Sequence, residues 1–263
     1  MYEFEYRKAG SLDEAKAAIA EAEDGKLLAG GMTLIPTLKQ RLAMPSDLVD
    51  LGGVQALKGI SRDGDAVVIG AMTRHADVAA SDVVKGAIPA LAALADGIGD
   101  PQVRNRGTIG GSIANNDPAA DYPAALVALG ATVTTTKRSL AAEDFFTGMF
   151  ETALDEDEIV TSVSFPVPER AAYSKFPNPA SRYAVVGVFV AKGADGVKVA
   201  VTGAGPSVFR VAEMEAALSG NFDASALDGI SVPADGLNND IHAGADYRAH
   251  LVGVMAKRAV AAA

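Results

Sequence analysis

Cysteine is absent from the 263 residues, and histidine occurs only as His75, His242 and His250, with no two at a metal-ligand spacing. The first absence excludes disulfides, thiolate zinc sites, iron–sulfur clusters and a cysteine nucleophile from this chain. The second leaves no histidine metal site to expect. Basic residues are also scarce, 23 Lys and Arg against 33 Asp and Glu, for a net charge of −10. That balance argues against duplex nucleic acid, which needs a basic face. No apolar run approaches the ~18 residues of a membrane span, and the opening MYEFEYRKAG lacks the apolar core of a signal peptide. A soluble, cytoplasmic protein is the expectation. GxSxG and HExxH are missing, no histidine neighbours a plausible nucleophile, and no carboxylate pair stands in an apolar setting. The residues point to no catalytic set.

What is present is ordinary globular material, 49% hydrophobic and 21% charged. The N-terminal region alternates strand and helix. EFEY leads to Ser11, a good N-cap with Glu14 three residues on, then to a helix ending before Gly25 and to the strand KLLAGG. TLIPTLKQRLA resumes a helical pattern, and DLVDL and DAVVIGA read as buried strands. One buried helix is predicted from Ser81 to Gly97, followed by the polar loop GIGDPQVRNRGTIGGSIANNDPAAD. The helix YPAALVALG and the strands ATVTTT and IVTSVSFPV follow. A boundary is placed near residue 168, with 1–168 dividing at about residue 55. Beyond it, RYAVVGVFVAK and GVKVAVTGAG suggest antiparallel strands. Helices at VAEMEAALSG and DYRAHLVGVMAKRAVAAA are expected to cover one face of that sheet.

Two glycine clusters carry the chemistry: Ala29-Gly30-Gly31-Met32-Thr33 and Gly107-Thr108-Ile109-Gly110-Gly111-Ser112. Paired glycines beside a small hydroxyl let a ligand approach the backbone, and successive N–H groups there can cradle a phosphate. They serve equally as tight turns. Neither fits GxGxxG or GxxxxGK[ST], so a nucleotide site requires another architecture. Asn115, Asn116, Asp117 and Asp121 either accept hydrogen bonds from sugar hydroxyls or cap the next helix. Arg104 and Arg106 either pair with phosphate or a partner protein or are solvated, and Lys175 on composition alone is a surface lysine. Nucleotide-type loops without an acid–base set indicate chemistry borrowed from a cofactor.

AGGMTLIPTLKQRLAMPSDLVDL, followed about seventy residues later by QVRNRGTIGGSIANNDPAADYPAALVALGA, resembles the FAD-binding medium subunit of the molybdenum hydroxylases, the xanthine and carbon monoxide dehydrogenase family. The resemblance runs along nearly the whole chain. It implies an α+β fold with a two-subdomain FAD-binding domain of the vanillyl-alcohol-oxidase type, then a smaller α+β C-terminal domain. It assigns Leu28, Ala29, Gly30, Gly31, Met32, Thr33, Leu34 and Ile35 to the FAD diphosphate. Thr108, Ile109, Gly110, Gly111 and Ser112 become a second cradle, so Gly110→Asp is expected to lose FAD with the fold intact. Asp121 matches an acidic FAD contact, Ile98, Ile159 and Val160 the lining of the ring systems, Lys175 a lysine near the flavin, and Tyr183 an aromatic at its face. Ser112 stands where the family commonly has Asn. The implied function is electron transfer by noncovalent FAD. Molybdopterin sits on a large partner subunit and 2Fe–2S clusters on a small one, and electrons leave to an external acceptor. The absence of cysteine agrees with clusters on another chain. The alternative is a stand-alone FAD-dependent oxidoreductase with its own substrate.

Overall fold

A computed structural model describes residues 1–263. The chain begins with β1 (Glu5–Lys8), α1 (Leu12–Glu21), β2 (Gly25–Leu28), α2 (Leu34–Lys39) and β3 (Asp47–Asp50), the strands parallel in the order β1-β3-β2. Chemistry sets the start of α1: Ser11 Oγ accepts the Glu14 amide at 3.2 Å, and Glu14 Oε2 accepts the Gly10 amide at 2.7 Å. Two otherwise orphaned donors are thereby satisfied. The helix buries Ala15 and Ile19 against Val49 and Leu51 and against Met72 and Ile159 of the next unit. This shared core fixes where the chain leaves β2.

The second unit contains β4 (Ile60–Asp63), β5 (Ala66–Gly70), α3 (His75–Ala80), α4 (Asp82–Ala87), α5 (Pro89–Asp96), α6 (Pro101–Arg104), α7 (Ile109–Asn115) and α8 (Tyr122–Leu129). It continues with β6 (Thr132–Thr135), β7 (Ser139–Ala141), α9 (Ala142–Phe145), β8 (Phe146–Gly148), β9 (Glu151–Thr152) and β10 (Val160–Pro166). Its antiparallel sheet runs β4-β5-β10-β6-β7, with β8 and β9 a separate hairpin. The single helix expected over 81–97 is two. Pro89 disfavours the helical region for the residue before it, and Ile88 sits at φ −139°, ψ 72°. The segment expected as a loop contains α6 and α7. Thr108 caps α7 by accepting from the Gly111 amide, and Ile109 and Ile113 are buried, so tertiary packing offsets the poor helix propensity of its two glycines. Every residue of α8 is buried, because it lies between this sheet and the next.

The third sheet is antiparallel, β11 (Arg170–Pro177), β12 (Ala184–Gly193), β13 (Gly196–Thr202) and β14 (Phe209–Arg210) in sequence order. The helices α10 (Ala212–Gly220) and α11 (Ala245–Ala262) pack on one face, against Val186, Val188, Val190, Val199 and Val201. The expectation of a sheet covered on one face alone is corrected. Phe189, Ala191 and Ala200 point the other way, into the core built with α5 and α8. The first eight residues of β12 are all buried, as a continuous apolar run on a two-sided strand requires. Buried Arg248 locks α11 down: Nη1 donates to Val185 O at 2.6 Å and Gly203 O at 3.0 Å, and Nη2 to both Asp240 oxygens. No helix is long and apolar enough to cross a membrane.

Candidate functional site

A cleft of about 420 Å³ opens where the three units meet. One wall is the turn between β2 and α2. None of the backbone N–H groups of residues 29 to 34 donates to another group of the protein. Met32 and Thr33 are exposed and the others half-buried. The amides leading into α2 are free as at any helix start, and the row they make with those of the glycine turn can accept an anion. Gly31 holds φ at +75°, a conformation that costs glycine little. Gly30 serves contact between loops: a Cβ there would fall on the carbonyl oxygen of Arg106. Ala29, Gly30, Gly31, Met32, Thr33 and Leu34 line the cleft, whereas Leu28 and Ile35 stand behind it, closing on Gly31.

The second glycine cluster works differently. The Ile109 amide donates to Thr73 O at 3.1 Å and that of Gly110 to Ala71 O at 2.8 Å. Gly111 donates to Thr108 Oγ1, and Ser112 to Thr108 O. These four donors are spent on the fold. A Cβ on Gly110 would stand 2.6 Å from Ala71 Cβ and 2.8 Å from Ala71 O. The glycine therefore lets α7 touch the end of β5, and Gly110→Asp strikes that packing before it reaches any ligand. Thr108, Gly110, Gly111 and Ser112 form cleft wall, while Ile109 is turned into the core.

Ile98, Asp121 and Tyr183 also line the cleft, as do Val160 and Ile159, the latter in the cluster that holds Leu27 and Ala29. Asp121 is 4% exposed and does not cap α8. Its carboxylate accepts from Tyr173 Oη at 2.5 Å and from Lys175 Nζ at 3.0 Å. Burial raises its pKa above the usual carboxylate range even though Lys175 and Tyr173 oppose the shift. Burial also raises that of Asp117, which holds the Ala119 amide. Lys175 lies within β11, opposite Gly187, rather than on the surface. Its ammonium donates to Gly97 O at 2.7 Å and Arg182 O at 3.0 Å as well as to Asp121. Arg104 Nη1 donates to the carbonyls of Ile98 and Gly99. Two cations thus grip three successive carbonyls and present the Ile98 side chain to the cleft. Tyr183 follows Arg182, a residue at φ +62°, and its pKa is raised by burial and by Asp117 and Asp121.

Of the residues that the family resemblance assigns to FAD, the structure gathers all but Leu28, Ile35, Ile109 and Lys175 onto one cleft; of the further candidates, Asn115 and Asp117 line it and Asn116, Arg104 and Arg106 do not. It adds residues that sequence reasoning passed over: His75, Gly99, Val103, Glu158 and Arg182. Glu158 is held near pKa 2 by Arg138, with help from Thr135 and the Asp155 amide. Isolated residues such as these carry no spacing signal. No group of three or more His, Asp or Glu is placed to hold a metal.

The model of the FAD binding domain in molybdopterin dehydrogenase matches residues 2–168. The carbon monoxide dehydrogenase medium chain of Hydrogenophaga pseudoflava is 36% identical, with 99% of this chain and 96% of that one covered. The nicotine 6-hydroxylase medium subunit of Paenarthrobacter nicotinovorans is 35% identical over 97% and 95%. A solved structure of reconstituted CO dehydrogenase from Oligotropha carboxidovorans superposes with a TM-score of 0.91 at 34% identity, covering 98% of this chain and 96% of that one. With the family model spanning more than half of the chain and these relatives matching end to end, the chain belongs to the FAD-binding medium subunits of the molybdenum hydroxylases.

Proposed function

We propose that the cleft holds one FAD noncovalently and that the chain is the electron-transfer subunit of a multi-subunit molybdenum hydroxylase. The observation that carries the site is the row of free amides at 29–34, which fits a diphosphate in a chain whose net charge of −10 cannot attract one through its overall field. Ser112 Oγ and Thr108 Oγ1 stand beside that row, the latter with its proton free because it accepts from Gly111. Ile98, Ile159 and Val160 offer apolar surface to the planar ring systems, with Tyr183 at the rim. Lys175 is a positioning residue here, holding the Ile98 loop and Asp121 in register. A flavin bound here would supply the redox chemistry that links the 2Fe–2S clusters of the small subunit to an external acceptor. Substrate is oxidised on the large, molybdenum-binding subunit, and family membership does not favour a stand-alone oxidoreductase. The division of the chain is placed near residue 168, where the family model ends just before β11, and the complex in the cytoplasm.

Purification of the tagged chain from its own cells tests this. A molybdenum-containing large subunit and a 2Fe–2S small subunit should co-purify, and the separated chain should show only background reduction of dyes. A chain that purifies alone, in the soluble fraction or elsewhere, and turns over a small substrate unaided contradicts it.

A further inference from the structure

Four buried polar side chains line the cleft: His75, Thr108, Asp121 and Glu158. Three have partners within the protein, as described above. His75 does not. It is 5% exposed, and its Nδ1 is sealed from solvent with no hydrogen-bond partner. Burial and the nearby Arg104 guanidinium hold the imidazole neutral, with a pKa of about 4, so one ring nitrogen carries a proton and the other a lone pair. The ring is packed on its inner side. Its backbone amide is fixed to Gly107 O at 3.0 Å, and the Tyr122 ring backs it at a centroid distance of 5.4 Å.

The Nε2–Cδ2 edge faces Gly107, another residue of the cleft wall. A Cβ at 107 would sit 2.5 Å from Nε2 and 2.8 Å from Cδ2. Any other residue there would cover this edge, so the glycine leaves Nε2, which unlike Nδ1 is not sealed in the wall, open beside the cleft. A neutral imidazole nitrogen held at a cleft wall can donate to or accept from a bound ligand, whichever its tautomer allows. We propose that His75 is a cofactor-binding residue whose Nε2 edge makes a hydrogen bond to the bound FAD. This rests on the FAD reading above.

The test is the dissociation constant for FAD rebinding to the flavin-stripped complex, for wild type, His75→Leu, His75→Gln and His75→Asn. A glutamine amide reaches the Nε2 position and an asparagine amide the Nδ1 position. His75→Leu should weaken FAD binding by about tenfold, one neutral hydrogen bond. His75→Gln should stay within about threefold of wild type and His75→Asn should resemble the leucine variant. The flavin-free leucine variant should melt no lower than wild type, because it loses an unpartnered polar group. Unchanged affinity in His75→Leu overturns the assignment, as does weakening in both the leucine and glutamine variants that parallels a lowered melting temperature of the flavin-free protein. A wild-type complex that takes up no FAD overturns the FAD reading itself, and this inference with it.

Discussion

Replacing Lys175 with Met removes the ammonium while keeping most of the stem. Asp121 keeps Tyr173 as its remaining donor at 2.5 Å and stays buried, and the carbonyls of Gly97 and Arg182 each lose a partner. Breaking a buried ion pair by deleting one member costs about 3–5 kcal/mol, mostly the penalty for the stranded charge. The sign of the pH dependence follows. Burial already raises the Asp121 pKa above 3.8 with Lys175 opposing, so removing Lys175 raises it further. A group with a raised folded pKa favours folding below its unfolded value, and that contribution is lost as pH rises through the folded one. The cost of Lys175→Met should therefore be small in acid and grow toward neutral pH. Urea unfolding of the flavin-free chain at several pH values reads this, together with a cycle through Asp121→Asn, which removes the charge and should lower the cost of Lys175→Met by about 1–3 kcal/mol. A loss under about 1 kcal/mol at neutral pH, or an equal loss in both backgrounds, refutes the strap. Lys175 would then be free to act on the flavin directly, and its loss would appear in the flavin potential instead.

Gly110→Ala should destabilise by about 1–3 kcal/mol despite the better helix propensity of alanine, because the new methyl meets Ala71 in a packed wall. A raised melting temperature would contradict that packing. Phe150, exposed at the β8–β9 turn, holds φ at +56°, so Phe150→Gly should raise stability by about 1 kcal/mol in chemical denaturation. Glu158, at a pKa of about 2 against 4.5 unfolded, contributes stability that is present above pH 4.5 and lost as pH falls through 2. Glu158→Gln should flatten the acid limb of a stability–pH curve, and an unchanged limb would refute the Arg138–Glu158 clamp.

Much of this was legible in the sequence. Ser11 and Glu14 marked α1, alternation and apolar runs marked β10, β12 and β13, and the two glycine clusters, some seventy residues apart, marked facing walls of one cleft. The rest failed for physical reasons. The α7 segment has two glycines and a polar surround, so its local propensity argues against a helix that only contact with β5 and the core sustains. The break at Ile88 was written in Pro89 but hidden by the alanine-rich pattern around it. The second face of the C-terminal sheet is covered by α5 and α8, far upstream, which no local pattern reports. The donors of the second cluster are spent internally, as only the fold reveals, and His75 is conspicuous only once its partnerless burial is seen.

The flavin released when the purified complex is denatured, measured before and after addition of FAD and desalting, bears most directly on the central claim. Close to one equivalent of free, noncovalent FAD per chain is the expected result. A complex that releases no flavin and takes up none on addition would contradict the account.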